Sequence, residues 1–148
     1  MQSQPSLTII SVTGHSGYTR GSMFAIHCSY LALKDKIADL RCVLISPERP
    51  ADLPEQIRHI QCAQMTHKEY NAFSFLALGQ FVDTDFALLV QNDGWVLHGD
   101  VWTDEFFQYD YIGAPVCHYY DNNEVMSTEL WKQNFSIPAP EGMLEMFN

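Results

Sequence analysis

Asp93 is the residue around which a chemistry can be built. It stands in Gln91-Asn92-Asp93-Gly94, a polar turn that ends the apolar run Phe86-Ala87-Leu88-Leu89-Val90. A short continuous apolar run without alternation predicts a buried parallel strand. In open parallel sheets, ligands bind just past the carboxyl ends of the strands. A carboxylate there, backed by glycine, is where a divalent cation can meet a phosphate, because Mg²⁺ takes few protein carboxylates and completes its shell with substrate oxygens. Gln91, Asn92, Asp93 and Gly94 are therefore candidate ligand-binding residues, with Asp93 the candidate metal ligand. The same Asn-Asp-Gly is also ordinary turn chemistry, in which Asp93 only caps the next turn.

Other residues could share that site. Thr13-Gly14-His15-Ser16-Gly17 follows the first apolar run, and backbone N–H groups in such a turn can approach a phosphate. Thr13, Gly14, Ser16 and Gly17 are candidates on that ground, although the stretch is neither a Walker nor a dinucleotide fingerprint and a plain turn explains it too. A general base for a hydroxyl nucleophile must be a positioned carboxylate or histidine. Asp104, Glu105 and Asp110 are the acids available beyond the Asp93 turn. Acids also simply favour a helix start, and Asp110 could serve only to tie down a loop. His98 is a nearby imidazole that could ligate a metal or stay solvated. Trp95, Trp102 and Trp131 could stack on a sugar face or anchor the core.

Residues such as these need a scaffold, and the chain has enough length for one. Its 148 residues suffice for one domain with a real core, and 47% hydrophobic with 13% aromatic content is globular, not disordered. A formal net charge of -10, with eight scattered Lys and Arg, argues against a nucleic-acid groove or an anionic membrane surface. Cys28, Cys42, Cys62 and Cys117 form no CxxC pair, and the first three lie in apolar segments, as buried thiols do. Met1 to Ser6 carries no signal-peptide pattern, and no apolar run approaches the roughly 18 residues of a spanning helix. A reduced, cytoplasmic setting is expected.

The order of elements follows from patterning. Leu7 to Thr13 predicts a first strand, and about Met23 to Lys34 a helix. Arg41 to Ser46 predicts a second strand and Ile57 to Cys62 a third. Thr66-His67-Lys68-Glu69 carries the Thr-x-x-Glu capping pattern of a helix start, and that helix is expected to reach Gly79. Phe86 to Val90 is the fourth strand. Strand, helix, strand, strand, helix, strand spells a parallel α/β sheet. Beyond it, Trp95-Val96-Leu97 is expected as a short strand, Trp102 to Phe107 as one or two helical turns, and Tyr109 to Gly113 as a further strand. From Cys117 the patterning fades, so residues 117–148 form a weakly patterned tail within a single domain of residues 1–148.

The block Gln91-Asn92-Asp93-Gly94, Trp102, Glu105-Phe106 and Tyr109-Asp110-Tyr111-Ile112-Gly113-Ala114-Pro115 resembles the domain of unknown function 5672 family, a group placed among GT-A-type glycosyltransferases. The resemblance covers about residues 7–116, with Tyr70-Asn71 a looser upstream match. It implies a Rossmann-like, three-layer GT-A-type nucleotide-diphospho-sugar transferase fold. It further implies that Asp93 holds Mn²⁺ or Mg²⁺ against the donor diphosphate, with Gln91 in the first slot of the motif. Val116 stands where the family has Trp, and no Asn-Gly-Gly-Phe-Ser-type segment follows. The chain is therefore expected to be an amino-terminal part of a longer domain, with an exposed apolar edge near residues 110–116 through which it self-associates.

The expected activity is transfer of a sugar from a nucleotide-sugar donor to an unknown hydroxyl acceptor. Two rivals come from other classes. One is a non-catalytic module that keeps the nucleotide or sugar pocket. The other is a metal-dependent phosphohydrolase, which needs several carboxylates converging on its ions.

Overall fold

Four apolar runs pair in parallel to make one sheet. They are β1 (Leu7–Val12), β2 (Leu40–Ser46), β3 (Ile57–Gln61) and β4 (Phe86–Leu89). The strand order is β3-β2-β1-β4, with Leu7 opposite both Leu40 and Phe86. The structure, a computed structural model, describes residues 4–113 and residues 120, 121, 124 and 125. The chain divides into two compact units, Met1–Tyr109 and Asp110–Asn148. The sheet belongs to the first. In the second, β5 (Tyr120–Asp121) and β6 (Glu124–Val125) pair antiparallel.

Two helices cover opposite faces of the sheet. α1 (Thr19–Leu33) places Ala25, Ile26 and Leu33 on the face that carries Leu7, Ile9, Cys42 and Leu44. α2 (His67–Leu76) places Tyr70 and Phe73 on the face that carries Ile10, Val12, Val43 and Ile45. Ile9, Ile10, Ile26 and Leu44 are fully buried, so the central strand β1 has a core on each side. This is the Rossmann-like α/β arrangement that its unbroken apolar runs predict. Burial also pushes the Cys42 thiol up to about 12, which keeps it protonated and inert.

Several boundaries differ from expectation. α1 starts at Thr19, four residues before the apolar periodicity begins, because Thr19 and Ser22 are buried on its inner face. Small polar residues do this without leaving a hydrophobic signal. α2 ends at Leu76, and Gly79 sits in a separate 3-10 turn, Leu78–Phe81. β4 is an edge strand that alternates between half-buried and exposed residues, not the uniformly buried run its composition suggests. Trp95-Val96-Leu97 forms no strand. Trp95 and Val96 pack into the α1-side core, and the Val96 N–H donates to Ser29 Oγ at 3.0 Å instead of to a ladder. Tyr109 to Gly113 forms no strand either. The helical turns expected at 102–107 are a 3-10 turn, Asp104–Gln108. Most of the tail from Cys117, Trp131 within it, and the 114–116 part of the expected edge lie outside the described residues.

The amino ends of β1 and β4 are tied together by a reciprocal polar clasp. Ser6 donates its backbone N–H (2.9 Å) and its hydroxyl (2.7 Å) to Asp85 Oδ2. The Asp85 N–H donates to Ser6 Oγ at 3.0 Å. The Ser6 backbone and side-chain donors hold the Asp85 carboxyl below its ordinary 3.8. A depressed carboxyl contributes stability above its unfolded value and loses it as pH falls through the folded one. Thermal melts of the parent and of Asp85→Asn should therefore differ at neutral pH. They should converge below about pH 4, the ordinary carboxylate range.

Candidate functional site

The carboxyl ends of the strands meet three connections, and these form the walls of one cleft. The chain leaves β1 towards β2 on one side and returns to place β4 on the other, so the sheet changes direction between β1 and β4. Such a switch point leaves a crevice, because the two connections depart on opposite faces. The cleft measures about 350 Å³, towards the small end of small-molecule sites.

The first wall follows β1. It contributes Val12, Thr13, Gly14 and Tyr18. Thr13 is buried, and its hydroxyl serves the turn, donating to the His15 carbonyl and accepting from the His15 N–H. Gly14 is required by close approach. A methyl there would lie 2.9 Å from the Met65 backbone nitrogen and overlap the Met65 side chain, and the Met65 N–H donates to the Gly14 carbonyl at 3.0 Å. That approach joins the first wall to the second.

The second wall is the start of α2, with Met65, Thr66, His67 and Tyr70. Thr66 and Glu69 form the capping box that the sequence pattern predicts. Thr66 N–H donates to Glu69 Oε2 at 2.7 Å, and Glu69 N–H donates to Thr66 Oγ1 at 3.3 Å. The Thr66 backbone and hydroxyl donors also hold the Glu69 carboxyl low. With that helix end fixed, Tyr70 one turn later rests its ring on the α2-side core and receives a 2.8 Å hydrogen bond from Gln91 Nε2.

The third wall is the turn after β4. Gln91 and Gly94 exchange backbone hydrogen bonds at 2.9 and 3.0 Å, so Asn92 and Asp93 project from a closed two-residue loop. Gln91, Asn92 and Asp93 line the cleft. Asn92 packs against Gly21 of α1, where a methyl would come within 2.8 Å of the Asn92 Cβ. Asp93 is exposed. Arg20, Arg41 and Arg58 pair elsewhere, with Asp52, Asp39 and Asp83. No Lys or Arg lines the cleft among the described residues.

Thr13, Gly14, Gln91, Asn92 and Asp93 are thus brought together. Ser16, Gly17 and Gly94 are not in the lining. Ser16 Oγ donates to Glu48 at 3.1 Å, and the Gly17 N–H donates to His15 Nδ1 at 3.0 Å, so both groups are committed locally. Asp104 stands at the opposite end of the sheet, where Gln4 Nε2 donates to its Oδ1 at 3.4 Å. Glu105 follows it in the same 3-10 turn, with its N–H donating to Thr103 Oγ1. The reason is the path of the chain. α1 runs antiparallel to β1, and the segment after the Asp93 turn follows α1 back: Trp95 meets Phe24, Val96 meets Ser29 and Gly99 meets Ala32. Asp110 opens the second unit. His98 is exposed, 3.9 Å from Asp100. Trp95 and Trp102 anchor the core, edge-on to Phe24 and to Phe106 and Phe107.

Tyr18, Met65, Thr66, His67 and Tyr70 were not singled out as site residues by sequence. The capping box was a usable signal, since a helix that follows a parallel strand begins at that strand's carboxyl end.

No curated protein and no solved structure matches the chain. One family model does, over residues 57–148. That span begins at β3, contains the second and third walls of the cleft, and continues through the weakly patterned residues beyond Cys117. It leaves out β1 and α1, which the resemblance in the sequence had included. More than half of the chain is matched, and the protein belongs to the family described as protein of unknown function, DUF5672.

Proposed function

We propose that the cleft binds a nucleotide-sugar donor with Mn²⁺ or Mg²⁺ at Asp93, and that the protein transfers the sugar to a hydroxyl acceptor on a GT-A-like scaffold. The observation that carries this reading is the meeting of Asp93 and Gln91 with the β1 turn at the switch point of a parallel sheet. The donor set fits such a cation. One exposed carboxylate and one carboxamide oxygen are hard ligands, and too few to enclose an ion, which leaves positions for diphosphate oxygens. When bound, the cation offsets the charge of the departing diphosphate.

The charge of the walls gives the reading its sharpest consequence. A diphosphate brought beside Asp93 meets a carboxylate and no Lys or Arg among the described lining residues. Binding should therefore require the cation. In isothermal titration with UDP-glucose, UDP-N-acetylglucosamine and GDP-mannose, heat is expected with Mn²⁺ and not after chelation. Equal binding in both conditions overturns the metal assignment, and no binding in either overturns the donor site.

A second reading is favoured by one observation. Asp104 lies at the far end of the sheet from the cleft, which suits a module that binds the donor without transferring its sugar. Formation of a glycosylated polyol together with free nucleoside diphosphate separates transfer from binding alone. Release of phosphate without sugar transfer would instead support a phosphohydrolase, although no cluster of three or more His, Cys, Asp or Glu is found among the described residues.

A further inference from the structure

The outward face of α1 carries apolar side chains where a solvated helix carries polar ones. Phe24 is 52% and Leu31 50% exposed, with the part-exposed free thiol of Cys28 between them. Arg20 begins the line. Asp35 ends it, in the turn where the Lys36 and Ile37 N–H groups donate to the Leu33 carbonyl. With 3.6 residues per turn, Arg20, Phe24, Cys28, Leu31 and Asp35 fall on one stripe. The segment that runs back along α1 widens it. Leu97 and Val101 are more exposed still, and they lie beside the stripe because Trp95 meets Phe24 and Gly99 meets Ala32. Single exposed apolar side chains need no explanation, but a continuous patch marks an interaction surface.

We propose that this stripe is the interface of a dimer in which α1 packs antiparallel against α1 of a second copy. The order of the residues selects that occupant. The stripe is symmetric about the point between His27 and Cys28. Phe24 precedes that point by as much as Leu31 follows it, and Arg20 by as much as Asp35. A two-fold axis there sets each Phe24 against the partner's Leu31 and each Arg20 towards the partner's Asp35. An isologous contact requires such self-complementarity; a foreign partner does not. The Arg20 side chain is 76% exposed and gives one nitrogen to Asp52, which leaves the rest of its N–H fork to donate. Asp35 is in no ion pair among the described residues. Lys34, next to it, lies about a quarter turn off the stripe. The proposal uses no residue of the cleft lining, so it is independent of the nucleotide-sugar reading. The patch is short, and the dimer is expected to form at micromolar and not nanomolar concentration.

The test is sedimentation velocity of the full chain from low to high micromolar concentration. The parent should pass from one copy to two and stop there, because an isologous contact closes. Leu31→Glu should stay monomeric throughout and melt like the parent at the concentration where the parent is a monomer. Arg20→Glu alone and Asp35→Arg alone should each weaken the dimer about tenfold, since the pair occurs twice in it, and the two together should restore it. Helix axes in contact lie about 8–10 Å apart, so a short bis-maleimide should join the two copies through Cys28 and fail to join Cys28→Ser. A parent that is monomeric at every concentration overturns the proposal, whether another part of this chain or a foreign partner covers the stripe. A dimer that survives Leu31→Glu uses another face and overturns it too. Charge variants that weaken the dimer singly without restoring it together overturn the antiparallel pairing, as does growth beyond two copies.

Discussion

Asp93→Asn is expected to remove Mn²⁺-dependent nucleotide-sugar binding and leave the fold as stable as before. The two halves of that result come from the same geometry. Asp93 is exposed on a turn whose closure depends on the backbones of Gln91 and Gly94, not on the carboxylate. Surface substitutions of this kind stay within about 0.5 kcal/mol, which for a domain of this size is a melting shift of less than about 3 °C. The charge is different. An amide offers the cation a neutral oxygen in a wall that holds no other acid among the described lining residues. Loss of about 100-fold in affinity, about 2.8 kcal/mol, is expected by titration. Asn at this position binding the donor as the parent does would sink the metal assignment. Asp93→Glu gives a useful intermediate: it restores the charge but displaces it by one methylene, so partial recovery marks a ligand that must be placed and not merely charged.

Most of the sheet was legible because its strands are apolar on both faces. Leu7–Val12 and, within β2, residues 42–46 are covered on both sides, and continuous apolar runs are what two covers demand. The edge strand β4 carried a similar run, but only Phe86 and Leu88 face the α1-side core, while Leu89 is 43% exposed. Composition alone does not report a missing neighbour. Trp95-Val96-Leu97 misled for a related reason, since β-prone residues look alike whether they pair with a strand or plug a helix face. The early start of α1 was hidden because Thr19 and Ser22 bury small polar side chains.

The candidate site was legible where it follows one strand end and illegible where it depends on a crossover. Gln91, Asn92 and Asp93 mark themselves by an abrupt change from apolar to polar, and Thr13 and Gly14 do the same after β1. Nothing in the spacing of Tyr70 and Gln91 announces a hydrogen bond, because twenty-one residues and the whole return from α2 to β4 separate them. Asp104 is the converse case. It is eleven residues from Asp93 in sequence, yet the chain between them runs the length of α1. Nearness in sequence holds only while a chain turns, and this one travels.

That return path gives the second large effect, at Gly99. The glycine is buried at the start of a 3-10 turn, Gly99–Val101, and lies directly on the backbone of α1. A methyl at this position would overlap the Ala32 carbonyl oxygen and sit 2.7 Å from the Ala32 carbonyl carbon. A flexible side chain could move aside, but helix backbone cannot without breaking its hydrogen bonds. Gly99→Ala should therefore cost about 3 kcal/mol, the upper part of the range for overpacked cores, and lower the melting temperature by about 10 °C. Gly79→Ala is the matched control. It has nothing within 4 Å to meet, so it should be neutral or stabilise by about 0.5 kcal/mol through the unfolded chain. Gly99 also presses the segment that follows the Asp93 turn onto α1, beside the Val96–Ser29 hydrogen bond. Lifting that segment should loosen Gln91, Asn92 and Asp93 together. The variant is expected to lose donor affinity along with stability, where Asp93→Asn loses affinity alone. Equal melting of Gly99→Ala and the parent would show that the segment after the Asp93 turn does not lie against α1, and would remove the physical account of why Asp104 stands at the far end of the sheet.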